Sequence, residues 1–165
     1  MYQIEVKRFL VEHIFPTADG WNVTIDVDAM EMGLGNQNPQ EKRDAAAVCD
    51  AWLRANNVTI GAHALHGRID LAAERRGQHY LIEVEGDSSR QKEQAFYSAI
   101  GQALLLMTAE PNHTTYGVAV PDSPQWQYQI DKLPAYVRGL LRMNLYLVRP
   151  DGVRTITFAP QIDVA

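Results

Sequence analysis

The sequence contains a single cysteine, Cys49, among its 165 residues. One cysteine excludes an internal disulfide and a zinc site built on cysteines. No stretch approaches the roughly 18 consecutive apolar residues of a membrane helix, and the first residues, MYQIEVKRFL, lack the pattern of a signal peptide. We therefore expect a cytoplasmic protein with no membrane partner.

Positive charge is also scarce. The chain has 15 Lys and Arg residues against 20 Asp and Glu residues, a net charge of −5. This balance argues against nucleic-acid binding, because phosphate contacts need clustered cations. The length and the 46% of apolar residues suit one globular domain over 1–165. Five basic residues nevertheless surround the acidic stretch described next: Arg68, Arg75, Arg76, Arg90 and Lys92.

The most informative stretch runs over 67–107 and contains two candidate strands, GRIDLAAE and HYLIEVEG, joined by a turn around Gly77. Side chains alternate along a strand, so Glu83 and Glu85 point to the same side of the second strand. If the strands pair through the turn, Asp70 joins them at one end of a small sheet. Buried carboxylates side by side require protons or a cation, and a hard divalent cation such as Mg²⁺ suits oxygen ligands.

The order of these residues resembles that of the PD-(D/E)XK nuclease superfamily, in which an Asp ends one strand and a (D/E)-x-K motif follows on the next. Asp70 matches the Asp, Glu83 matches the acidic position, and Glu85 stands where Lys is usual. Many members also carry a Gly-Gln pair on the following helix, like Gly101-Gln102 here. The resemblance implies a restriction-endonuclease-like α/β fold, with a central mixed β-sheet flanked by helices in a single domain.

The resemblance also implies an activity, the Mg²⁺-dependent hydrolysis of DNA phosphodiester bonds, with Mn²⁺ as a substitute. Asp70 and Glu83 would then hold the metal ion, together with the backbone carbonyl of Val84 and with Glu41 from an early helix. Small nucleases of this fold often pair to cut both strands, so a homodimer is implied as well. No organic cofactor is expected.

Glu85, Lys92 and Gln102 complete the set of candidate catalytic residues. Glu85 is interpreted as a general base or a further metal ligand. A basic group displaced to Lys92 is an alternative for the missing Lys, unless Lys92 is only a solvated surface residue. Gln102 lies beside an apolar stripe of its helix, so we expect it on the buried side, within reach of a water, a phosphate or a carboxylate.

Periodicity predicts the arrangement of the other elements. Residues 2–14 and 20–27 alternate in polarity and predict an N-terminal β-hairpin within 1–30, ahead of a core over 38–160. The near-continuous apolar run Thr114–Val120 predicts a central strand.

A helix is expected from Pro39 to about Asn56, since Pro is favoured at the first helical position. Helical spacing places Glu41, in line with Val48, on or near the stripe that faces the core. The alternative for Glu41 is a first-turn Glu that the helix dipole favours.

Two classes of function stay open. The first is a divalent-metal-dependent nuclease acting on DNA in repair, recombination, restriction or genome defence. The second is a catalytically inactive module of the same fold that serves in DNA binding or protein assembly. A salt bridge from Arg68 to Glu83 or Glu85, in the place of a metal ion, would favour the second. A carboxylate glycosidase is set aside, because no aromatic sugar platforms lie near the acids.

Overall fold

The computed structural model describes residues 1–34, 38–88, 91–107 and 113–157. Arg90 and the last positions of the predicted core, 158–160, lie outside these ranges. In chain order the elements are α1 (Gln3–His13), a 3₁₀ turn (Thr17–Asp19), β1 (Asn22–Ile25), α2 (Gln40–Ala55), β2 (Thr59–Ile60), β3 (Leu71–Arg75), β4 (Gln78–Val84), α3 (Lys92–Leu106), β5 (Thr114–Pro121), α4 (Pro124–Ile130), α5 (Ala135–Leu141), β6 (Met143–Arg149) and β7 (Gly152–Ile156).

The strands of the described residues form one seven-stranded mixed sheet in the order β2-β1-β3-β4-β5-β6-β7. The pairs β1–β2, β4–β5 and β5–β6 are parallel, whereas β1–β3, β3–β4 and β6–β7 are antiparallel. Strand β5 is buried at almost every position and lies between β4 and β6, which confirms the predicted central strand. The predicted α/β class, a single domain with helices flanking a mixed sheet, is confirmed.

Helices cover both faces of the sheet. Leu10 of α1 and Leu53 of α2 pack in one cluster with Ile82 of β4. Phe96 of α3 and Trp126 of α4 belong to a second cluster on the opposite face. Burial of these apolar side chains is the main stabilising contribution to such a layered arrangement. Among the described residues, no helix is both long enough and apolar enough to cross a membrane.

The prediction of a β-strand over 2–14, the first half of the N-terminal hairpin, is wrong. Residues Gln3–His13 form the helix α1, in which Ile4, Lys7 and Val11 are buried at helical spacing. Strand β1 matches the second predicted strand, but it pairs with β2 and β3 instead of with the chain before it. Packing of α1 against the sheet decides between two periodicities that a short segment satisfies about equally well.

The prediction of which side of α2 faces the core is also wrong, because each buried position lies one residue later than predicted. Val48 is 60% exposed and Glu41 is exposed, whereas the buried positions are Ala46, Cys49 and Leu53. A shift of one residue rotates the buried side by about 100°. The side chain of Glu41 therefore points away from the core, and its predicted contact with the core is not formed.

Candidate active site

The β3–β4 hairpin places Asp70 opposite Glu83. The last paired positions are Leu71 and Ile82, so the next residue on each strand faces the other. Because side chains alternate along a strand, Glu85 projects from the end of β4 toward the same side as Glu83. The register therefore brings the three predicted acids to one end of the hairpin.

Both carboxylate oxygens of Asp70 have partners. Oδ2 accepts a hydrogen bond from the Val84 backbone N–H at 2.9 Å. Oδ1 accepts one from Nε2 of Gln3 at 3.1 Å and lies 2.8 Å from Nζ of Lys7. Asp70 also acts on the Glu83 carboxyl group, whose pKa it raises. Since the N–H and C=O of one strand residue point to the same side, the Val84 carbonyl is directed toward the Asp70 side of β4.

The pKa values of the two glutamates at the end of the hairpin, Glu83 and Glu85, are raised. Burial raises the pKa of Glu83 to about 8, and the charge of Asp70 and the hydrogen bond to it add to this effect. Burial likewise raises the pKa of Glu85 to about 7; Asp70 adds to the rise, and the Lys92 ammonium opposes it. The cluster therefore has more acidic groups than its cations neutralise.

Lys7 is a member of the site that the sequence interpretation missed. Its side chain is completely buried, and Nζ contacts Oε1 of Glu31 at 2.6 Å and the backbone oxygen of Asp26 at 2.5 Å, in addition to Asp70. Burial alone would lower the pKa of Lys7, but Asp70 and Glu31 outweigh this and raise it. The sequence would have indicated this residue if 2–14 had been predicted as a helix, because Lys7 then lies on its apolar side. The prediction of a strand over 2–14 did not place it there.

Glu31 is a second acidic residue that the sequence interpretation missed. It lies in the segment after β1, where its backbone N–H donates to Oδ1 of Asp28 at 2.8 Å. The residue is only 8% exposed, and its Oε2 is buried without a hydrogen-bond partner among the described residues. Burial raises the pKa of Glu31 to about 7, although Lys7 opposes the rise. No sequence motif indicates Glu31, because it joins the site only through its contact with Lys7, which is distant in sequence.

Lys92 lies at the start of α3 and is held close to the site. Nζ donates to the backbone oxygen of Asp87 at 2.9 Å, lies 3.3 Å from Oδ1 of Asp87, and stands over the Trp126 ring at 5.0 Å. The side chain is 13% exposed, so the interpretation as a solvated surface residue is wrong. Its effect on the pKa of Glu85 shows that its charge acts on the carboxylate cluster.

Gln102 does not lie where it was predicted. Its side chain is exposed, while the buried positions of α3 are Phe96, Ala99 and Ala103. The expected burial is therefore wrong, and a role for Gln102 in catalysis stays a prediction. Glu41 is also exposed, and it lines a surface cavity together with Asp87.

The donor atoms of the cluster suit a hard divalent cation, but their present arrangement is not that of a closed metal site. Within the part of the chain that the structure describes, no three His, Cys, Asp or Glu side chains form a group that could hold a metal ion. The salt bridge from Arg68 that would have favoured the inactive module is not formed to either glutamate, because Arg68 pairs with Oδ2 of Asp26 at 2.8 Å. A cation at Asp70 would therefore compete with the Gln3 amide and the Lys7 ammonium, which already contact Oδ1.

Two solved structures are similar to this chain. No protein-family model matches the chain, and no curated protein matches it. An XisH family protein from Nostoc punctiforme PCC 73102 is similar in structure, with 20% identity over 94% of this chain and 97% of that chain and a TM-score of 0.44. An fdxN element excision controlling factor protein from Anabaena variabilis is 21% identical over 90% and 92% of the two chains, with a TM-score of 0.43. Likeness at this level carries no information about activity, and the relation to PD-(D/E)XK nucleases stays a prediction.

Proposed function

We propose that this protein is a divalent-metal-dependent nuclease that hydrolyses DNA phosphodiester bonds in repair, recombination, restriction or genome defence. The observation that supports this most directly is the set Asp70, Glu83 and Glu85 at one end of the β3–β4 hairpin. Burial and mutual repulsion raise the pKa of two of these groups. A fold gains no stability from ionising such a set, because like charges placed together in a partly buried site are unfavourable. A cation-binding role explains the arrangement.

The proposed metal ion is Mg²⁺, for which Mn²⁺ substitutes. Carboxylate and carbonyl oxygens are the ligands that Mg²⁺ prefers, and Asp70, Glu83 and the Val84 carbonyl supply them. Glu41 is the candidate for an outer ligand. When bound, the ion would lower the pKa of an attacking water and neutralise the phosphate. Binding would release the proton that Glu83 holds at neutral pH.

The chain's own residues supply the remaining chemistry. Glu85 accepts the proton of the attacking water, a role that a carboxylate with a pKa of about 7 suits at neutral pH. Lys92 offers a positive charge beside Glu85 on the side of α3. Because the side chain of Gln102 is exposed, its proposed role is an auxiliary contact with the DNA backbone.

A catalytically inactive module for DNA binding or protein assembly is the second candidate. Lys7 favours it, because its ammonium already neutralises Asp70 at 2.8 Å. An ion pair of this kind can replace a metal ion in a fold that has lost its activity. A homodimer is proposed for either candidate, and analytical ultracentrifugation tests it directly.

Cleavage of supercoiled and linear DNA with Mg²⁺ or Mn²⁺ tests the nuclease. The decisive variant is Glu83→Gln, which imitates the protonated side chain and so should keep the fold while removing a metal ligand. The matched control is Glu74→Gln, an exposed glutamate on the same hairpin. Metal-dependent nicking is expected in the wild type and in Glu74→Gln but not in Glu83→Gln. Absence of cleavage, together with no rise in melting temperature on adding metal to the wild type, would exclude the nuclease and favour the inactive module.

A further inference from the structure

The site contains an ammonium group although Glu85, directly after strand β4, stands in the position where the resembled motif has Lys. The group belongs to Lys7 of α1, which follows Gln3 by one helical turn. Side chains four residues apart lie on the same side of a helix, and both of these side chains contact Oδ1 of Asp70. Helix α1 therefore presents two donors to one carboxylate oxygen.

Close packing fixes the position of α1, and with it the contact of Gln3 and Lys7 with Asp70. A Cβ atom on Gly86 would lie 2.5 Å from the backbone nitrogen of Gln3, so the segment after β4 and the start of α1 touch backbone to backbone. Leu10 and Val11 of the same helix are completely buried in the core. Lys7 thus lies on a rigid element and has little freedom to leave the cluster.

We propose that Lys7 is the internal cation of this site: it occupies Asp70 and thereby sets how tightly the carboxylates bind a divalent metal ion. This inference rests on the proposed function in taking Asp70 and Glu83 as the metal ligands. Lys7 is a positioning residue, because its side chain is completely buried and does not reach a substrate phosphate.

Glu31 gives the ammonium a second carboxylate. Its Oε1 lies 2.6 Å from Nζ of Lys7, and its Oε2 is buried without a partner among the described residues. When a metal ion takes Asp70, Lys7 keeps a counter-charge in Glu31 and stays buried. A lysine with Asp70 as its only acidic partner would be left unpaired, which is costly in a protein interior.

The test is calorimetric titration of the DNA-free protein with Mn²⁺. Lys7→Met removes the charge at similar volume, and Lys7→Arg keeps it. The control is Lys132→Met, which removes the same charge from a solvent-accessible ion pair with Glu93 at 3.1 Å that does not contact Asp70. We expect Lys7→Met to bind Mn²⁺ at least about tenfold more tightly than the wild type, because a unit positive charge beside a ligand is lost. Lys7→Arg and Lys132→Met should bind about as the wild type does.

A merely structural lysine would give the opposite result, because loosening the site weakens metal binding. Unchanged or weaker Mn²⁺ affinity in folded Lys7→Met would therefore overturn the inference. If Lys7→Met does not fold, the double variant Lys7→Met/Glu31→Gln removes both buried charges. This variant must then bind Mn²⁺ at least about tenfold more tightly than the wild type.

Failure of the nuclease proposal gives a different pattern from failure of this inference. A wild type that neither cleaves DNA nor binds Mn²⁺ contradicts the nuclease. If Lys7→Met then gains Mn²⁺ binding, Lys7 is still the internal cation, now in an inactive site. If neither protein binds Mn²⁺, both proposals are wrong.

Discussion

Asp70 and Glu83 face each other at the end of the β3–β4 hairpin, and Asp70 raises the pKa of the Glu83 carboxyl group. Two ionised carboxylates side by side repel each other and have only acceptors, so a proton on one of them relieves the repulsion. The pKa of Glu83, raised to about 8 first by burial and then by Asp70, means that the proton stays at neutral pH. We therefore expect the pair to be stable without metal and to lose this proton if a cation binds.

The first prediction concerns the stability of the metal-free protein. Glu83 ionises near 4.5 when unperturbed and near 8 in the folded chain, so between these values the folded state binds more protons than the unfolded state. The free energy of unfolding should therefore fall as pH rises toward 8, by an amount on the order of 2 kcal/mol. Urea denaturation in EDTA at several pH values measures this. The decline should be smaller in Glu83→Gln, and an equal decline in both proteins would contradict the assignment.

The second prediction concerns Glu85. Replacing it by Gln removes the proposed general base while preserving size and hydrogen-bonding ability, so the cleavage rate should fall by about 10²-fold with little change in stability. Single-turnover cleavage of a DNA duplex measures the rate, and thermal unfolding checks the fold. A variant that cleaves at the wild-type rate would remove Glu85 from the mechanism.

The third prediction concerns the ion pair between Asp70 and Lys7. Asp70→Asn leaves a completely buried ammonium with one fewer negative partner, so unfolding should become easier by about 3 kcal/mol. Asp26→Asn is the matched control, because that side chain pairs with the exposed Arg68, and such pairs contribute about 1 kcal/mol or less. Equal losses in urea denaturation would show that Lys7 does not depend on Asp70.

The fourth prediction concerns the close approach of α1 to the hairpin. Gly86→Ala would place a Cβ atom 2.5 Å from the backbone nitrogen of Gln3, which forces α1 to move. Overpacking of this kind lowers stability by about 1–3 kcal/mol, and it should also separate Gln3 and Lys7 from Asp70 and so change the affinity for Mn²⁺.

Gly101→Ala provides the comparison for this prediction. A Cβ atom on Gly101 meets no atom within 4 Å, and alanine is favoured over glycine within a helix. This variant should be as stable as the wild type or more so. Destabilisation of both variants to the same extent would show that the contact with α1 is not the cause.

The hairpin and its acids could be predicted from the sequence because they depend on neighbouring residues. The two turn residues, Arg76 and Gly77, both adopt positive φ, at 52° and 76°, a backbone geometry that joins paired strands directly. Once the turn is formed, strict alternation determines which residues share a side. Asp70 and Glu83 then face each other without any contribution from the rest of the chain.

Periodicity was less informative for the helices. It predicted the existence of α2 and α3, but it placed Glu41 and Gln102 on buried sides although both are exposed. A helix often has apolar residues on more than one side, and packing against neighbouring elements determines which side is buried. The rotation of a helix about its own axis is therefore a property of packing rather than of local pattern.

By itself, the sequence determined the α/β class, the central strand β5 and the pairing of β3 with β4, because these follow from local alternation and from turns of two residues. Only the tertiary structure decided that 3–13 is a helix and that its Lys7 neutralises Asp70. Gln3 and Asp70 are 67 positions apart, and no periodicity records a contact over that distance. It forms because burial of the apolar side of α1 against the sheet carries two polar side chains to the end of the hairpin, where the buried ammonium needs the carboxylate.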